Sequence, residues 1–354
     1  MPQEPVRYAM IGCGEIAVQS FEALTAASNA RVAATFDVKQ ELAQDLAGRA
    51  EGAVACASQA QLLARDDVEA VIISTPHYLH EPIAIAAIRA GKHVLVEKPI
   101  ACTVAQGRRM VDAAADADRR LGVCFVRRYS PITEGVRKFV ADGYLGNVIA
   151  WLIVEMGHKK ESYWTGGYTQ RAKTDWRLRR KTAGGGFLVM NTIHTIDWFR
   201  YVSAQEVVST KALGGTYNSP EGVEVEDLFS ASATLSGGGI GMIAGGSSVP
   251  GGIQGNCLRL IGTKGQVNLG GAGAKGVPIF LTEGGNIAGQ EVSAGEWTNV
   301  DFSGGKSGNP RALLIEAFGK WVRGEQEFLA PGEDALKTLQ ACETIYRSAG
   351  LCEE

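Results

Sequence analysis

Val6-Arg7-Tyr8-Ala9-Met10-Ile11 runs straight into Gly12-Cys13-Gly14-Glu15-Ile16-Ala17, and this stretch decides the fold. The first six residues form a short, mostly apolar strand, and Val18–Ala27 continues as a helix. A second strand, Arg31–Phe36, closes on Asp37, twenty residues after Ala17. Each residue type has its reason. Gly12 permits a tight turn, Gly14 lets backbone approach a pyrophosphate, and the small Ala17 lets helix and strand pack closely. The helix start, with Cys13, Glu15 and Ile16 around it, offers unpaired N–H groups and a positive dipole end to phosphates. Asp37 can accept from both hydroxyls of a ribose and would repel a 2′-phosphate. The stretch therefore predicts a dinucleotide site that takes NAD, with NADP disfavoured; Lys39, two residues beyond Asp37, weakens that preference a little.

The alternation continues outward. Helical and strand stretches succeed one another through Gln40–Ala50, Val54–Ala57, Ser58–Leu63, Val68–Ile73, Pro82–Ala90, His93–Val96, Val104–Ala117 and Gly122–Val126. Repeated units of this length predict an α/β Rossmann domain, a doubly wound parallel sheet with right-handed crossovers. Chemistry in such sheets lies beyond the carboxyl ends of the strands. Three strand ends carry polar groups: Ser74-Thr75-Pro76-His77 with His80 beyond, Glu97-Lys98-Pro99, and Arg127-Arg128-Tyr129.

Composition divides the rest. Of 45 glycines in 354 residues, seven fall in 1–123, thirty-four in 124–308 and four in 309–354. There is no Gly-X-Y period, and 45% of residues are apolar, so neither collagen nor a disordered tract fits. Candidate strands at 148–156, 206–213, 225–235, 239–249, 256–261, 265–269 and 277–282, parted by glycine-rich turns, predict an α+β domain with a large antiparallel sheet. The expected map is a Rossmann domain at 1–123, a substrate domain at 124–308, and helices at 309–354 packing back on the first. A net charge of −3 leaves no global field for nucleic acid or anionic membrane. No apolar run is long enough to span a bilayer, and Met1-Pro2-Gln3-Glu4-Pro5 lacks the features of a signal peptide. Seven scattered cysteines read as reduced thiols of a cytoplasmic protein, with no metal site.

Gly12-x-Gly14-x-x-Ala17, Ser74-Thr75-Pro76-His77-x-x-His80 and Glu97-Lys98-Pro99, in that order, resemble the Gfo/Idh/MocA family of NAD(P)-dependent sugar and polyol oxidoreductases. Asp175-Trp176-Arg177, Gly184-Gly185-Gly186, Asn191-x-x-His194-x-x-Asp197, the turn Gly262-Thr263-Lys264-Gly265 and Glu333-Asp334-Ala335-Leu336 extend the resemblance along the chain. It implies that Lys98 lies beside the nicotinamide and the substrate hydroxyl, with a cis bond before Pro99. It implies cofactor contacts from Gly12 to Ile16, Asp37, Ser74 to His77, His80, Glu97, Lys98, Arg127, Trp176 and Arg177. It also implies an open, mostly antiparallel second-domain sheet that walls the substrate and builds a homodimer or homotetramer. One departure stands out. Many relatives carry an aspartate four residues before the histidine, and here that position is Met190.

A lysine desolvated beside a cationic ring becomes a usable base. Asn191, His194 and Trp198 share one face of a helix expected over Phe187–Val202, so His194 is the second proton-handling candidate and Asn191 a substrate ligand. Between 158 and 181 stand eight Lys or Arg, interleaved with Tyr163, Trp164, Tyr168 and Trp176. A solvated loop is one reading. The other is a pocket for an anionic sugar group, with Lys159, Arg171 and Lys173 selecting it and Tyr129 and Trp176 lining it. The expected function is oxidation or reduction of a secondary hydroxyl of a sugar, sugar acid or cyclitol. The alternative is a glycoside-cleaving enzyme that oxidises a ring hydroxyl transiently, eliminates, and reduces again. A nucleotide sensor is a third class, opposed by the presence of Lys98 and His194.

Overall fold

The computed structural model describes residues 4–253, 255–273 and 276–352; Met1–Gln3, part of the N-terminal stretch quoted above, lie outside them. The chain forms two units. The first comprises residues up to Val126 together with Ser162–Gly184 and Asn309–Leu336. The second comprises Arg127–Glu161, Gly185–Gly308 and the chain from Lys337 onward.

The first unit grows from β1 (Val6–Ile11) through α1 (Glu15–Ala26), β2 (Ala30–Phe36), α2 (Gln40–Ala47), β3 (Val54–Ala55), α3 (Gln59–Leu63) and β4 (Ala70–Ile73). It continues with α4 (His80–Arg89), β5 (His93–Val96), α5 (Val104–Asp116) and β6 (Leu121–Val123). All strand pairs are parallel, in the order β3-β2-β1-β4-β5-β6. The strand order reverses direction between β1 and β4, so a crevice opens at their carboxyl ends, where Gly12 and Ser74 stand. β4 and β1 are buried along almost their whole length, as strands covered on both faces must be. The short α7 (Glu161–Gly166) and α8 (Arg180–Ala183) flank a loop that also belongs to this unit from Ser162 on.

In the second unit, α6 (Pro131–Ala141) precedes β7 (Val148–Met156). A π-helical turn, Leu188–Thr192, leads into α9 (Ile193–Ser203). Then follow β8 (Val207–Gly215), β9 (Leu228–Leu235), β10 (Ile240–Gly246), β11 (Cys257–Gly262), β12 (Gly265–Asn268), β13 (Val277–Leu281), the hairpin β14 (Gly285–Ile287) and β15 (Gln290–Val292), and β16 (Trp297–Val300). The large sheet runs β16-β13-β12-β11-β7-β10-β9-β8 and is antiparallel except at β7–β10. In β9 the burial alternates residue by residue, so one face of the sheet is covered. Trp151 of β7 meets Phe199 of α9 edge to face in that core, with ring centroids 5.9 Å apart. Thr263 and Lys264 make the expected turn between β11 and β12. α10 (Pro310–Val322) belongs to the first unit, and the division between units falls within α11 (Gly332–Ser348).

Two sequence expectations are redrawn. Residues 162–184 group with the nucleotide fold rather than with the sheet, and residues from Lys337 on group with the sheet. The reason is contact: within 162–184, Tyr168 bonds Glu15, Arg171 bonds Cys13, and the Lys173 carbonyl accepts from Lys39. The helix expected over Phe187–Val202 is not a continuous α-helix, because it opens with the π turn. β14, β15, β16 and α6 went unanticipated.

Candidate functional site

The first unit builds a cradle at the β1–β4 crevice. Gly12 has φ +89, and a Cβ there would stand 2.7 Å from the Ser74 carbonyl, so glycine is required twice over. The Cys13 N–H donates to Asp37 Oδ2 at 2.7 Å, and the Lys39 N–H to Oδ1 at 2.8 Å, tying the end of β2 to the glycine turn. The Lys39 ammonium donates to the Lys173 carbonyl at 3.1 Å, which occupies one donor of the cation thought to weaken NAD selection. Burial, with Asp37 beside it, pushes the Cys13 thiol up to about 12, so it stays protonated. Ser74 Oγ and Thr75 Oγ1 are buried at the end of β4 without a hydrogen-bond partner among the described residues. Glycine where a Cβ would strike, an acid at the end of β2, and two orphaned hydroxyls suit a dinucleotide laid across this turn.

The neighbouring strand ends are held from below. The Lys98–Pro99 bond is cis. His80 is fully buried, with Nδ1 2.8 Å from the Pro99 carbonyl and Nε2 3.0 Å from that of Thr75. It therefore braces two strand ends, rather than reaching outward. His77 donates through Nδ1 to the Ala183 carbonyl at 2.7 Å and lies against Trp176, ring centroids 4.4 Å apart. Burial, then the neighbouring His80, drives its pKa well below the ordinary histidine range. Arg177 stacks over Trp176 at 4.6 Å and over Tyr163 at 5.2 Å. Glu97 is buried and pairs with Arg311, which also donates to Ser20 at 2.9 Å. Lys98 is half-buried beside it.

The second unit contributes a helix face. Across residues 185–200, all are buried except Asn191 and His194. Trp198 does not share their opening: its indole is buried and donates to Thr133 Oγ1 at 2.9 Å. The π turn holds Asn191, and His194 and Trp198 both follow it in α9; such turns are often found at functional sites. Buried Glu226 sets the start of this segment. Its carboxylate accepts from the Gly186 N–H at 2.7 Å, the Leu188 N–H at 3.0 Å and the Tyr346 hydroxyl at 2.8 Å. Any Cβ at Gly186 would overlap the Glu226 carbonyl. Asp197 serves structure, bonded to Arg128 at 2.9 and 2.5 Å and to Thr338 at 2.9 Å in a fully buried cluster.

Arg127 belongs to this helix rather than to the first unit. It donates to Thr195 Oγ1 at 2.6 Å, and that hydroxyl donates to Glu155 Oε1 at 2.7 Å. Around this chain, Glu155 Oε2, Asn191 Oδ1, Thr192 Oγ1 and Ser247 Oγ are buried without partners among the described residues. Gly245, paired with Glu155 across β10–β7, lies where a Cβ would be 2.8 Å from Thr192 Oγ1, so that hydroxyl lies against the sheet at this pair. Lys159 is half-buried beside Ser247, whose carbonyl accepts its N–H at 2.6 Å, and Tyr129 is half-buried in a 3-10 turn over Val126–Tyr129. Arg171 and Lys173, expected beside Lys159 at a sugar pocket, lie in the other unit. The structure thus places the residues expected at the dinucleotide in one unit, except Arg127, which lies in the other with Asn191 and His194. Glu226, Tyr346, Glu155 and Thr195 were missed. Only the Glu226-Asp227 pair, two acids at the mouth of an apolar strand, gave a signal.

A six-stranded parallel sheet with an acid-closed glycine turn defines a dinucleotide-binding protein with a second, sheet-built unit. Residues 6–125 match the Gfo/Idh/MocA family described as an oxidoreductase family with an NAD-binding Rossmann fold, and residues 133–268 match that family's C-terminal domain. The chain belongs to the Gfo/Idh/MocA oxidoreductase family. It is 31% identical to 1,5-anhydro-D-fructose reductase of Ensifer adhaerens over 62% of this chain and 63% of that protein. With inositol 2-dehydrogenase 2 of Saccharopolyspora erythraea it shares 32% identity over 57% of this chain and 55% of that one. The matches thus span less than two thirds of either relative. The fold is that of the WlbA dehydrogenase from Bordetella pertussis, solved with NADH and UDP-GlcNAcA: TM-score 0.81, 23% identity, 98% of this chain and 97% of that one covered.

Proposed function

We propose that the protein transfers a hydride between NAD and the carbon of a secondary hydroxyl on a sugar, sugar acid or cyclitol, with Lys98 and His194 handling the hydroxyl proton. The observation that carries this reading is the helix face of the second unit. Two proton-exchanging or hydrogen-bonding side chains escape burial there, beside four buried polar atoms awaiting partners. Those atoms include a carboxylate oxygen and an amide oxygen, both acceptors, and two hydroxyls. A polyhydroxylated ligand supplies the donors they lack. The names of the two curated relatives support the same substrate class.

The nicotinamide, when bound, supplies the hydride acceptor or donor. Oxidation also releases the hydroxyl proton, which a neutral Lys98 accepts at Nζ. His194 passes that same proton on, to or from a neighbouring oxygen. Asn191 donates to one hydroxyl and accepts from another. Gly12, Cys13 and Gly14, with Asp37, hold and orient the cofactor through backbone and ribose contacts.

The test is NADH formation over a panel of neutral and acidic sugars, cyclitols and glycosides. Lys98→Met should lower kcat/KM by roughly 10²–10⁴ for the best substrate while NAD still binds. A rate within twofold of wild type would sink the assignment of Lys98. Release of an aglycone without accumulation of NADH would replace the reading with redox-neutral glycoside cleavage.

We extend the proposal to assembly. The register places Leu213, Ile240, Met242, Phe280 and Trp297 on one face of the large sheet, and all but Phe280 are exposed. A face of this kind is an interaction surface, here for a homodimer or homotetramer. Light scattering that finds only monomer would overturn it.

A further inference from the structure

Residues 167–173 form a strap across the dinucleotide cradle. The Tyr168 N–H reaches both oxygens of Glu15 at 2.9 Å, in the first turn of α1. Gly167 has φ +70, and any Cβ on it would strike that carboxylate. Arg171 donates from Nε to the Cys13 carbonyl at 3.0 Å and from its terminal nitrogen to Asp45 Oδ2 at 2.6 Å. The Ala172 methyl lies 3.5 Å from where a Cβ of Gly14 would stand. Lys173 receives Lys39 on its carbonyl. These contacts land on the glycine turn, on the start of α1, and on Lys39 and Asp45 after β2.

We propose that Arg171 is a cofactor-positioning residue, and that the 167–173 strap slows release of the dinucleotide. The inference rests on NAD being the cofactor, and it reassigns Arg171 from the sugar pocket expected from sequence. The physical argument runs through one peptide plane. The bond between Cys13 and Gly14 is planar and trans, so its carbonyl and the Gly14 N–H point in opposite directions. Arg171 grips that carbonyl, and Asp37 grips the preceding N–H. The direction of the Gly14 N–H, one of the free donors at the start of α1, is thereby fixed before any phosphate arrives. Asp45 in turn fixes the guanidinium, and Arg171 is four-fifths buried while doing so, its side chain 19% exposed. Preorganised donors lose less on binding than mobile ones. The strap also adds a barrier to dissociation, because Ala172 sits against the residue that a pyrophosphate must approach.

Binding and release of NADH are measured on the full chain by fluorescence titration and stopped-flow displacement. Wild type is compared with Arg171→Met, Arg171→Lys, Asp45→Asn and the Asp45→Asn/Arg171→Met pair. Arg171→Met should weaken NADH about tenfold or more, chiefly through a faster off-rate. Arg171→Lys should restore only part of this, since an ammonium lacks the fork that spans Cys13 and Asp45. Asp45→Asn should shift release in the same direction, and the pair should be no worse than Arg171→Met alone. Release and affinity of Arg171→Met within about twofold of wild type would overturn the proposal. So would a lowered melting temperature with unaltered release, or an effect confined to saturation by an acidic sugar such as D-glucuronate. If Arg171→Met does not fold, an unchanged off-rate in Asp45→Asn overturns it alone. A protein that binds NADH but oxidises no sugar would refute the proposed function and leave this inference standing; one that binds no dinucleotide would refute both.

Discussion

The glycine turn at residues 12–17 and the π-headed helix at 186–203 are the two places where chain geometry is set most tightly, and they are set by opposite means. The turn takes its shape from its own residues: Gly12 adopts a left-handed conformation and the donors that follow come free with the start of α1, while Asp37 and Arg171 only steady the Cys13 peptide groups. The helix is made by residues far away in sequence. Glu226 and Tyr346 hold its first turn, and Arg128 and Thr338 hold its middle through Asp197. A backbone-encoded turn depends first on the residue at the turn itself, and side chains such as Asp37 and Arg171 tune it rather than create it. A site hung on buried side chains depends on every partner, and loses stability when any one is removed.

The largest expected effect separates the two glycines. Gly186→Ala should destabilise the second unit by roughly 3–5 kcal/mol, because its Cβ overlaps the Glu226 carbonyl and both sides are packed. Thermal unfolding checks this, and a shift of only a few degrees would break the comparison. Gly12→Ala should instead spare most of the fold and cost about a hundredfold or more in NADH affinity, since strand β1 survives but the turn cannot keep φ +89. Fluorescence titration reads that out. An unaltered affinity would mean that the turn is not the cofactor's seat.

Smaller, and directed at the helix alone, Tyr346→Phe removes a hydroxyl donor from the Glu226 carboxylate. It should cost about 1.5–3 kcal/mol of stability and lower kcat more than it raises KM for the sugar, because the helix shifts while the substrate groups remain. Equal changes in kcat and KM would argue against a positioning role.

The smallest effect is a difference in pH response. His77, His80 and His93 all lie in the first unit, and burial lowers the pKa of each, that of His93 to about 4. In the unfolded chain these rings bind protons as pH falls through about 6.5, while in the fold they remain neutral. The unfolded state then holds more protons, so the contribution is intact above about 6.5 and is lost as pH falls below it. Hydrogen exchange at about pH 5 and about pH 7 should show amides of β4 and β5 losing protection at the lower pH, and His77→Gln should lessen the loss. Protection that rises on acidification would contradict the sign.

How much of this was legible in the sequence follows the same division. Gly12, Gly14, Asp37 and the strand ends at 74–77 and 97–99 could be read because their function lies in the local backbone and in residue spacing. The large sheet could be read from its two-residue alternation and its turns. Glu155 gave no signal, since a carboxylate inside β7 looks like any polar residue on an open face until Thr195 and Arg127 are found beside it. Trp198 was misplaced because Thr133 takes up its indole in the core, a contact that helical spacing does not record. The basic run at 158–181 suggested one patch, yet the fold splits it after Glu161 and spends Arg171 on Cys13 and Asp45.

By itself, then, the sequence determined a doubly wound nucleotide fold, a glycine-turned antiparallel sheet and the glycine turn closed by Asp37, because local geometry and periodicity depend only on neighbours in the chain. Which residues hold the Cys13 peptide, which carboxylates hold the helix that carries His194, and which polar atoms stay buried without partners among the described residues were decided by tertiary structure. Those outcomes depend on contacts between residues far apart in the chain, 158 positions for Cys13 and Arg171 and 120 for Glu226 and Tyr346, and no local pattern records them.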